Sequence, residues 1–149
     1  MTTAAKNQLV RSATAQWQGT LAQGEGWLST GSQALTRARY SFPTRFAQEA
    51  GTNPEELIAA AHAGCYSMAL AYTLGQAGTP PQHIETTAAL TLEMSVAGPN
   101  VTGIHLCVRA QVAGIAADTF AAIAQQAKDT CLVSRLLNAT VSLEAVLLS

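Results

Sequence analysis

The sequence predicts an α+β fold in which antiparallel β-sheets pack around one long central helix. The prediction rests on an alternating, glycine-punctuated N-terminal region, a long charge-free helical stretch, and alternating strands after it. Strands and helices follow in the order βββ-α-ββ-αα-β, which is typical of α+β domains. At 149 residues, one domain spanning 1–149 is expected.

The N-terminal third, residues 1–50, is predicted to be a β-meander followed by a loop. Between Leu9 and Tyr40, short β-like runs are separated by single glycines, a spacing that suits antiparallel strands joined by tight turns. Residues 41–51 are predicted to form a loop that carries two phenylalanines and one arginine.

Two overlapping capping signals, at Thr52 and Asn53, predict the strongest helix start in the chain. The helix is expected to occupy residues 52–78 and to stop before the pair that begins at Pro80. Residues 57–84 contain no Asp, Glu, Lys or Arg. Burial of this helix on nearly all sides is therefore predicted.

The last part of the chain, residues 84–149, is predicted to be a ββ-αα-β portion. Alternation of apolar and polar residues indicates strands with one wet face, and apolar residues at helical spacing indicate the helices. The predicted segments are strands at 84–96 and 104–112, a helix capped by Asp118 and ending near Asp129, a short helix opening at Cys131, and a last strand at 139–147.

Charge is scarce throughout the chain. Hydrophobic residues make up 48%, charged residues only 11%, and the net charge is −1, whereas a typical domain is about 25% charged. This composition excludes disorder and gives no electrostatic footprint for nucleic acid or acidic lipid. A weakly charged surface favours an oligomer. The first eight residues lack the apolar core of a secretory signal, so a cytoplasmic location is expected.

The three cysteines occupy different settings. Cys65 lies within the apolar helix, where a lone thiol is most often a small core residue. Cys131 precedes a helix start, where backbone dipoles favour a thiolate, and Cys107 lies in a strand and is interpreted as packing. Cys65 and Cys131 could be a redox couple, two zinc ligands or two unrelated core residues. No metal is expected, because zinc needs about four ligands. His62 could act as a base or be a buried, hydrogen-bonded histidine.

The block Gly51–Leu70 closely resembles the helix signature of the osmotically inducible protein C (OsmC) family, which is related to the organic hydroperoxide resistance (Ohr) proteins. The likeness extends to Phe42-x-Thr44-Arg45-Phe46 upstream and Lys128-x-x-Cys131-x-Val133-Ser134 downstream, and so covers nearly the whole chain. The resemblance implies a thiol-dependent peroxidase that acts on organic hydroperoxides in stress defence. It also implies an intertwined homodimer.

The resemblance assigns a role to each of four residues. Cys65 matches the peroxidatic cysteine and Cys131 the resolving one. Arg45 matches the arginine that holds the reactive thiolate, and Glu55 the acidic residue that pairs with that arginine. Leu132 departs from the family, which commonly has proline at this position. The resemblance implies no bound cofactor and suggests an external dithiol reductant such as a lipoylated protein.

Arg45 and Glu55 each have a simpler interpretation. Burial raises the pKa of a thiol, so a charge-free helix needs a cation from elsewhere; Arg45 is the candidate, although it could be a solvated loop arginine. Glu55 lies ten residues before Cys65, about 15 Å along the helix. It would therefore orient Arg45, come from a partner subunit at a dimer interface, or simply cap the helix. The alternative function is a non-catalytic protein of this fold that binds hydrophobic ligands.

Overall fold

The computed structural model describes residues 7–149, so most of the segment considered for a secretory signal lies outside the described residues. The chain divides into two compact units, Met1–Pro54 and Glu55–Ser149. Each unit carries a three-stranded sheet, and the second also carries the long helix. The predicted α+β class is confirmed, while the single domain over 1–149 stays a prediction.

The first unit contains the predicted antiparallel meander. Its strands are β1 (Ala13–Gln18), β2 (Glu25–Thr30) and β3 (Ala38–Ser41), in the order β1-β2-β3. Gly26 of β2 is paired with Tyr40 of β3, and a Cβ at residue 26 would lie 2.6 Å from the Tyr40 ring. Freed of that clash, Tyr40 packs on Trp17 with 5.4 Å between the ring centroids.

The segment predicted as a loop contains one short helix, α1 (Phe42–Phe46), so that part of the prediction is wrong. A capping box directly after β3 forms this helix. The Ser41 N–H donates to the Thr44 hydroxyl at 2.8 Å, and the Thr44 N–H donates to the Ser41 hydroxyl at 3.3 Å. Reciprocal bonds of this kind satisfy two of the donors that a helix start leaves open. Arg45 lies in the last turn of α1.

The second unit begins with the predicted long helix, α2 (Pro54–Gln76). Only one of its faces is buried. The buried residues, spaced four apart, are His62, Tyr66, Leu70 and Leu74. Met68 and Tyr72 are 76% and 69% exposed, so the expectation of burial on nearly all sides is wrong for this single chain. Among residues 7–149, α2 is the one helix long and apolar enough to cross a membrane by length and composition.

The sheet of the second unit has β5 at its centre. Its strands are β4 (His83–Ser95), β5 (Gly98–Gln111) and β6 (Thr140–Leu148). β5 pairs antiparallel with β4 but parallel with β6. The parallel pair departs from the predicted antiparallel arrangement, because helices α3 (Ala117–Thr130) and α4 (Leu132–Leu136) intervene and return the chain before β6 begins.

Alternate residues of β5 face the helices and form the core with them. Buried apolar residues are Ile104, Leu106, Val108 and Ala110 of β5, and Phe120, Ile123, Ala124 and Ala127 of α3. The N-cap of α3 is Ala116 and not Asp118, so the predicted cap is wrong. Asp118 lies two residues after the cap, in the first turn, where its carboxylate accepts from the Thr119 N–H at 2.8 Å.

Replacing Leu70 by alanine is expected to lower the free energy of unfolding by about 2–5 kcal/mol, because the change empties a fully buried site. Leu136→Ala removes the same atoms from a side chain that is 79% exposed, and should cost about 0.5 kcal/mol or less. Urea denaturation followed by circular dichroism measures both. Equal losses would contradict this account of the core.

Candidate active site

Cys65 lies on α2 between the buried face of the helix and its exposed side, and its side chain is half-buried. Its neighbour Tyr66 is fully buried, and the Tyr66 hydroxyl donates to the Ala124 carbonyl oxygen of α3 at 3.0 Å. This bond holds α2 against α3 one residue away from the thiol. Burial also raises the pKa of Tyr66 well above its usual value, so the phenol stays neutral.

Cys131 lies at the joint between α3 and the short helix α4 and is only 1% exposed. Its N–H donates to the Ala127 carbonyl oxygen at 2.9 Å and ends α3, while its own carbonyl oxygen accepts from the Arg135 N–H at 3.1 Å and begins α4. The prediction that this cysteine opens a helix is confirmed. Cys131 therefore lies at the N-terminus of α4, where the first backbone N–H groups have no partner within the helix.

The Cys65 and Cys131 thiols are free, border the same cleft and act on each other's pKa. Burial raises the pKa of Cys65, although the amide groups of Val133 and Leu132 act in the opposite direction. Burial acts the same way on Cys131, but hydrogen bonds from the Ser134 amide and hydroxyl, from Cys65 and from the Val133 amide outweigh it and lower its pKa. The first proton lost belongs to the pair, and the amides of α4 favour placing that charge on Cys131.

A buried histidine stands behind the second thiol. His62 is fully buried, and its Nε2 lies 2.7 Å from the Ser134 hydroxyl. Burial lowers the pKa of His62, so the ring is neutral near pH 7. Of the two interpretations left open for His62, the geometry favours the buried, hydrogen-bonded residue over a base that acts directly on Cys65.

Both thiols border a largely apolar cleft of about 680 Å³. The residues that line it are Cys65, Met68, Ala69, Tyr72, Thr73, Gln76, Gln126, Thr130, Cys131 and Leu132. No charged side chain is among them. Small-molecule sites are typically concave and apolar with a few placed polar groups, so a reactive sulfur here would meet an apolar substrate.

Arg45 and Glu55 belong to different units. Arg45 lies in the first unit, where its guanidinium stacks over the Phe46 ring with 5.0 Å to the centroid. Glu55 opens the second unit, in the first turn of α2. The roles assigned to these two residues by the resemblance stay predictions.

Sequence reasoning named Ser134 only as part of a motif and gave it no role. The spacing Cys131-x-x-Ser134 could have indicated one, because a residue three positions after a helix cap turns back toward the cap. Among the residues that the structure describes, no group of three or more His, Cys, Asp and Glu side chains could hold a metal ion.

Comparisons with known proteins identify the family to which the chain belongs. A family described as "OsmC-like protein" has a sequence model that matches residues 47–146. Proteins named Peroxiredoxin OsmC from Escherichia coli (strain K12) and Shigella flexneri are each 48% identical to this chain over 130 residues, which is 87% of this chain and 91% of each relative.

Solved structures show the same fold. The organic hydroperoxide resistance protein OhrB of Bacillus subtilis superposes with a TM-score of 0.69 at 23% identity, over 90% of this chain and 97% of that one. An organic hydroperoxide resistance protein from Elizabethkingia anophelis superposes with a TM-score of 0.77 at 20% identity, over 96% and 99%.

A thiol pair that borders an apolar cleft on this α+β scaffold defines a thiol-based redox enzyme. The chain belongs to the OsmC family. The predicted family and the predicted class of cysteine-based peroxidase are therefore confirmed.

Mild oxidation with diamide is expected to join Cys65 to Cys131 and to leave Cys107 reduced, because only the first two thiols contact each other. Cys107 lies in β5 opposite Thr87 and Glu144. Alkylation of the remaining thiols followed by peptide mass mapping without reductant identifies the pair. A disulfide that contains Cys107 would contradict the prediction.

Proposed function

We propose that this protein reduces organic hydroperoxides to alcohols, with Cys65 as the peroxidatic and Cys131 as the resolving cysteine. The observation that carries the proposal is the contact between these two thiols at the edge of an apolar cleft. A protein that only binds hydrophobic ligands would need the cleft but not two interacting thiols in it.

The first step is attack of the Cys65 thiolate on one peroxide oxygen. A sulfur–oxygen bond forms and the O–O bond breaks, so the thiolate is oxidised to a sulfenic acid and the hydroperoxide is reduced. The departing alkoxide takes up a proton and leaves as the alcohol. Cys65 suits this step because it is half-buried and borders the cleft, whereas Cys131 is almost completely covered.

Cys131 then resolves the sulfenic acid. Its thiolate attacks the Cys65 sulfur, a disulfide forms, and the hydroxide that leaves is protonated to water. The lowered pKa of Cys131, caused by hydrogen bonds that outweigh burial, supplies the required thiolate. An external dithiol, proposed to be a cytoplasmic lipoylated protein or a similar compound, reduces the disulfide by two exchanges and becomes a disulfide itself.

The Cys65 thiolate needs help that α4 does not supply. Burial raises the pKa of Cys65, so most of this thiol is protonated near pH 7 unless a positive charge lies nearby. We propose that Arg45 supplies this charge and that Glu55 orients the guanidinium. Glu55 is about 15 Å from Cys65 along α2, so it acts through Arg45 and not on the sulfur.

We also propose that the active protein is a homodimer with its active sites at the interface. The apolar helix α2 supports this proposal, because Met68 and Tyr72 are exposed on it next to Cys65. Exposed apolar side chains on a helix that carries no charge beyond its first turn are typical of surfaces that another chain covers.

The cleft favours alkyl substrates. Burying an alkyl group contributes about 25 cal/mol per Å² of apolar surface, and hydrogen peroxide has no such group to bury. Met68 and Leu132 provide apolar surface beside the thiols.

One equivalent of tert-butyl hydroperoxide is expected to remove two of the three thiols of the wild-type protein. Cys65→Ser should abolish this loss, and Cys131→Ser should allow one oxidation and then stall or overoxidise, because no second thiol traps the sulfenic acid. Thiol titration and mass spectrometry measure both outcomes. At equal concentrations, cumene hydroperoxide should react faster than hydrogen peroxide.

Cys107→Ser is the matched control and should turn over normally, because Cys107 lies outside the thiol pair. An inactive Cys107 variant would contradict the assignment of the site. No thiol loss in the wild-type protein would favour the ligand-binding alternative, and equal rates with the two peroxides would contradict the alkyl preference.

Arg45→Met is expected to slow Cys65 oxidation about 10- to 100-fold near pH 7, because loss of a neighbouring cation raises a thiol pKa by about 1–2 units. The rate should recover as the pH rises, because alkali restores the thiolate. Glu55→Gln should cause a smaller loss in the same direction. Stopped-flow measurement of the second-order rate constant against pH tests these effects.

Arg11→Met is the control for loss of an arginine, since Arg11 is exposed and donates a hydrogen bond to the carbonyl oxygen of its neighbour Val10. Size-exclusion chromatography with light scattering gives the oligomeric state of each variant. A fully active monomer would contradict the proposed interface location of the site.

A further inference from the structure

His62 is a buried titratable residue that the proposed reaction does not use. It lies on the same face of α2 as Tyr66 and is fully buried. Its Nε2 lies 2.7 Å from the Ser134 hydroxyl, with which it forms a hydrogen bond. The Ser134 side chain in turn interacts with the Cys131 thiol and lowers its pKa. Ser134 therefore links the imidazole to the thiol.

The other ring nitrogen of His62 indicates which group donates in the hydrogen bond between His62 and Ser134. His62 Nδ1 is buried and has no hydrogen-bond partner among residues 7–149. A neutral imidazole carries its single proton on one nitrogen. Placing that proton on Nδ1 would bury an unpaired N–H, which is rarer and more costly in folded proteins than a bare acceptor. The proton therefore resides on Nε2, so His62 donates and the Ser134 oxygen accepts.

We propose that His62 is a positioning residue that locks the Ser134 hydroxyl as a hydrogen-bond donor to the Cys131 sulfur. With its oxygen occupied by the His62 N–H, Ser134 directs its own hydrogen toward Cys131. Without that constraint a helical serine can instead bond to a backbone carbonyl one turn earlier. The histidine thus acts on the thiol through Ser134, without itself transferring a proton.

The hydrogen-bond arrangement does not depend on the proposed function, but its effect on catalysis does. Resolution requires Cys131 to be a thiolate when the Cys65 sulfenic acid forms, and a donor hydroxyl stabilises that thiolate. A neutral donor does so without burying a second charge in the apolar core, which would be costly.

Few other titratable groups lie near His62, Ser134 and Cys131. Cys65 and Tyr66 act on Cys131 from α2. Lys128, Asp129 and Arg135 border the same surface groove as Ser134. Lys128 donates to the Val141 carbonyl oxygen at 3.1 Å, and Asp129 accepts from the Gln125 amide at 3.0 Å. These groups are unchanged in the variants proposed below, except where Cys65 is replaced on purpose.

The tautomer can be measured directly on the unmodified chain. In protein with ¹⁵N-labelled histidine, long-range ¹H–¹⁵N correlation spectra distinguish a protonated Nε2 from a protonated Nδ1. We expect the His62 spin system to show a neutral ring protonated on Nε2 at pH 7. A neutral ring protonated on Nδ1, or a charged ring, would overturn the proposal.

The effect on the thiol can be measured in a Cys65→Ser, Cys107→Ser background, where Cys131 is the only thiol. Thiolate absorbance near 240 nm, corrected with the variant that also carries Cys131→Ser, gives the pH midpoint of Cys131 ionisation. Ser134→Ala and His62→Phe should each raise this midpoint by about one pH unit. Ser134→Ala removes the hydrogen bond to the thiolate, and His62→Phe removes the group that orients the Ser134 hydroxyl toward it. His62→Gln, whose amide N–H can still donate to Ser134, should restore most of the difference.

The double variant His62→Phe, Ser134→Ala separates this role from a purely structural one. If His62 acts through Ser134, the double variant should shift the midpoint no further than Ser134→Ala alone. Additive shifts, or no shift with His62→Phe, would overturn the proposal. Circular dichroism establishes whether each variant is folded. If the His62→Phe variant does not fold, the tautomer measured on the unmodified chain tests the proposal. Neither measurement uses a peroxide, so failure of the proposed peroxidase activity is detected separately, by the thiol loss described above.

Discussion

The contact between the Cys65 and Cys131 thiols is the constraint on which the rest of the second unit depends. Cys65 belongs to α2, whereas Cys131 lies where α3 ends and α4 begins. Bringing the sulfurs together requires these helices to be held in one register. Neighbouring residues of α2 provide this, since Tyr66 bonds to Ala124 of α3 and His62 bonds to Ser134 of α4. The same short stretch of helix therefore supplies a thiol and two of its supports.

Scarcity of charge decides how a thiolate can exist in this molecule. The helix that carries Cys65 has no charged residue beyond Glu56, and burial alone would keep both thiols protonated. For Cys131 the fold offsets burial with the Ser134 and Val133 amides and the Ser134 hydroxyl, which are neutral donors built into a short helix. The Val133 and Leu132 amides only partly offset burial for Cys65. The two cysteines are thus chemically different although they are neighbours, and the proposed roles of attack and resolution depend on such a difference.

Sequence reasoning succeeded where local signals agree and failed where distant contacts decide. Two capping signals and a long apolar run were enough to predict α2, and the alternation of β4 was enough to predict a strand. The parallel pairing of β6 was missed because strand direction depends on the path of the intervening helices and not on alternation. The short helix α1 was missed because its capping signal lies directly after a strand. The one-sided burial of α2 was missed because its apolar composition predicts that the helix is covered on most sides. Composition does not show whether the residues that cover it belong to the same chain.

By itself the sequence determined the family, the α+β class and the central helix, and it predicted roles for two cysteines, because these depend on local pattern and on a long motif. Only the tertiary structure decided that Cys65 and Cys131 meet, since 66 positions separate them along the chain. It also placed the Ser134 hydroxyl beside His62, a contact that exists only when α2 packs against α4. Hydrogen bonds to a thiol are set by distances between elements that are far apart in sequence, and residue spacing alone does not contain those distances.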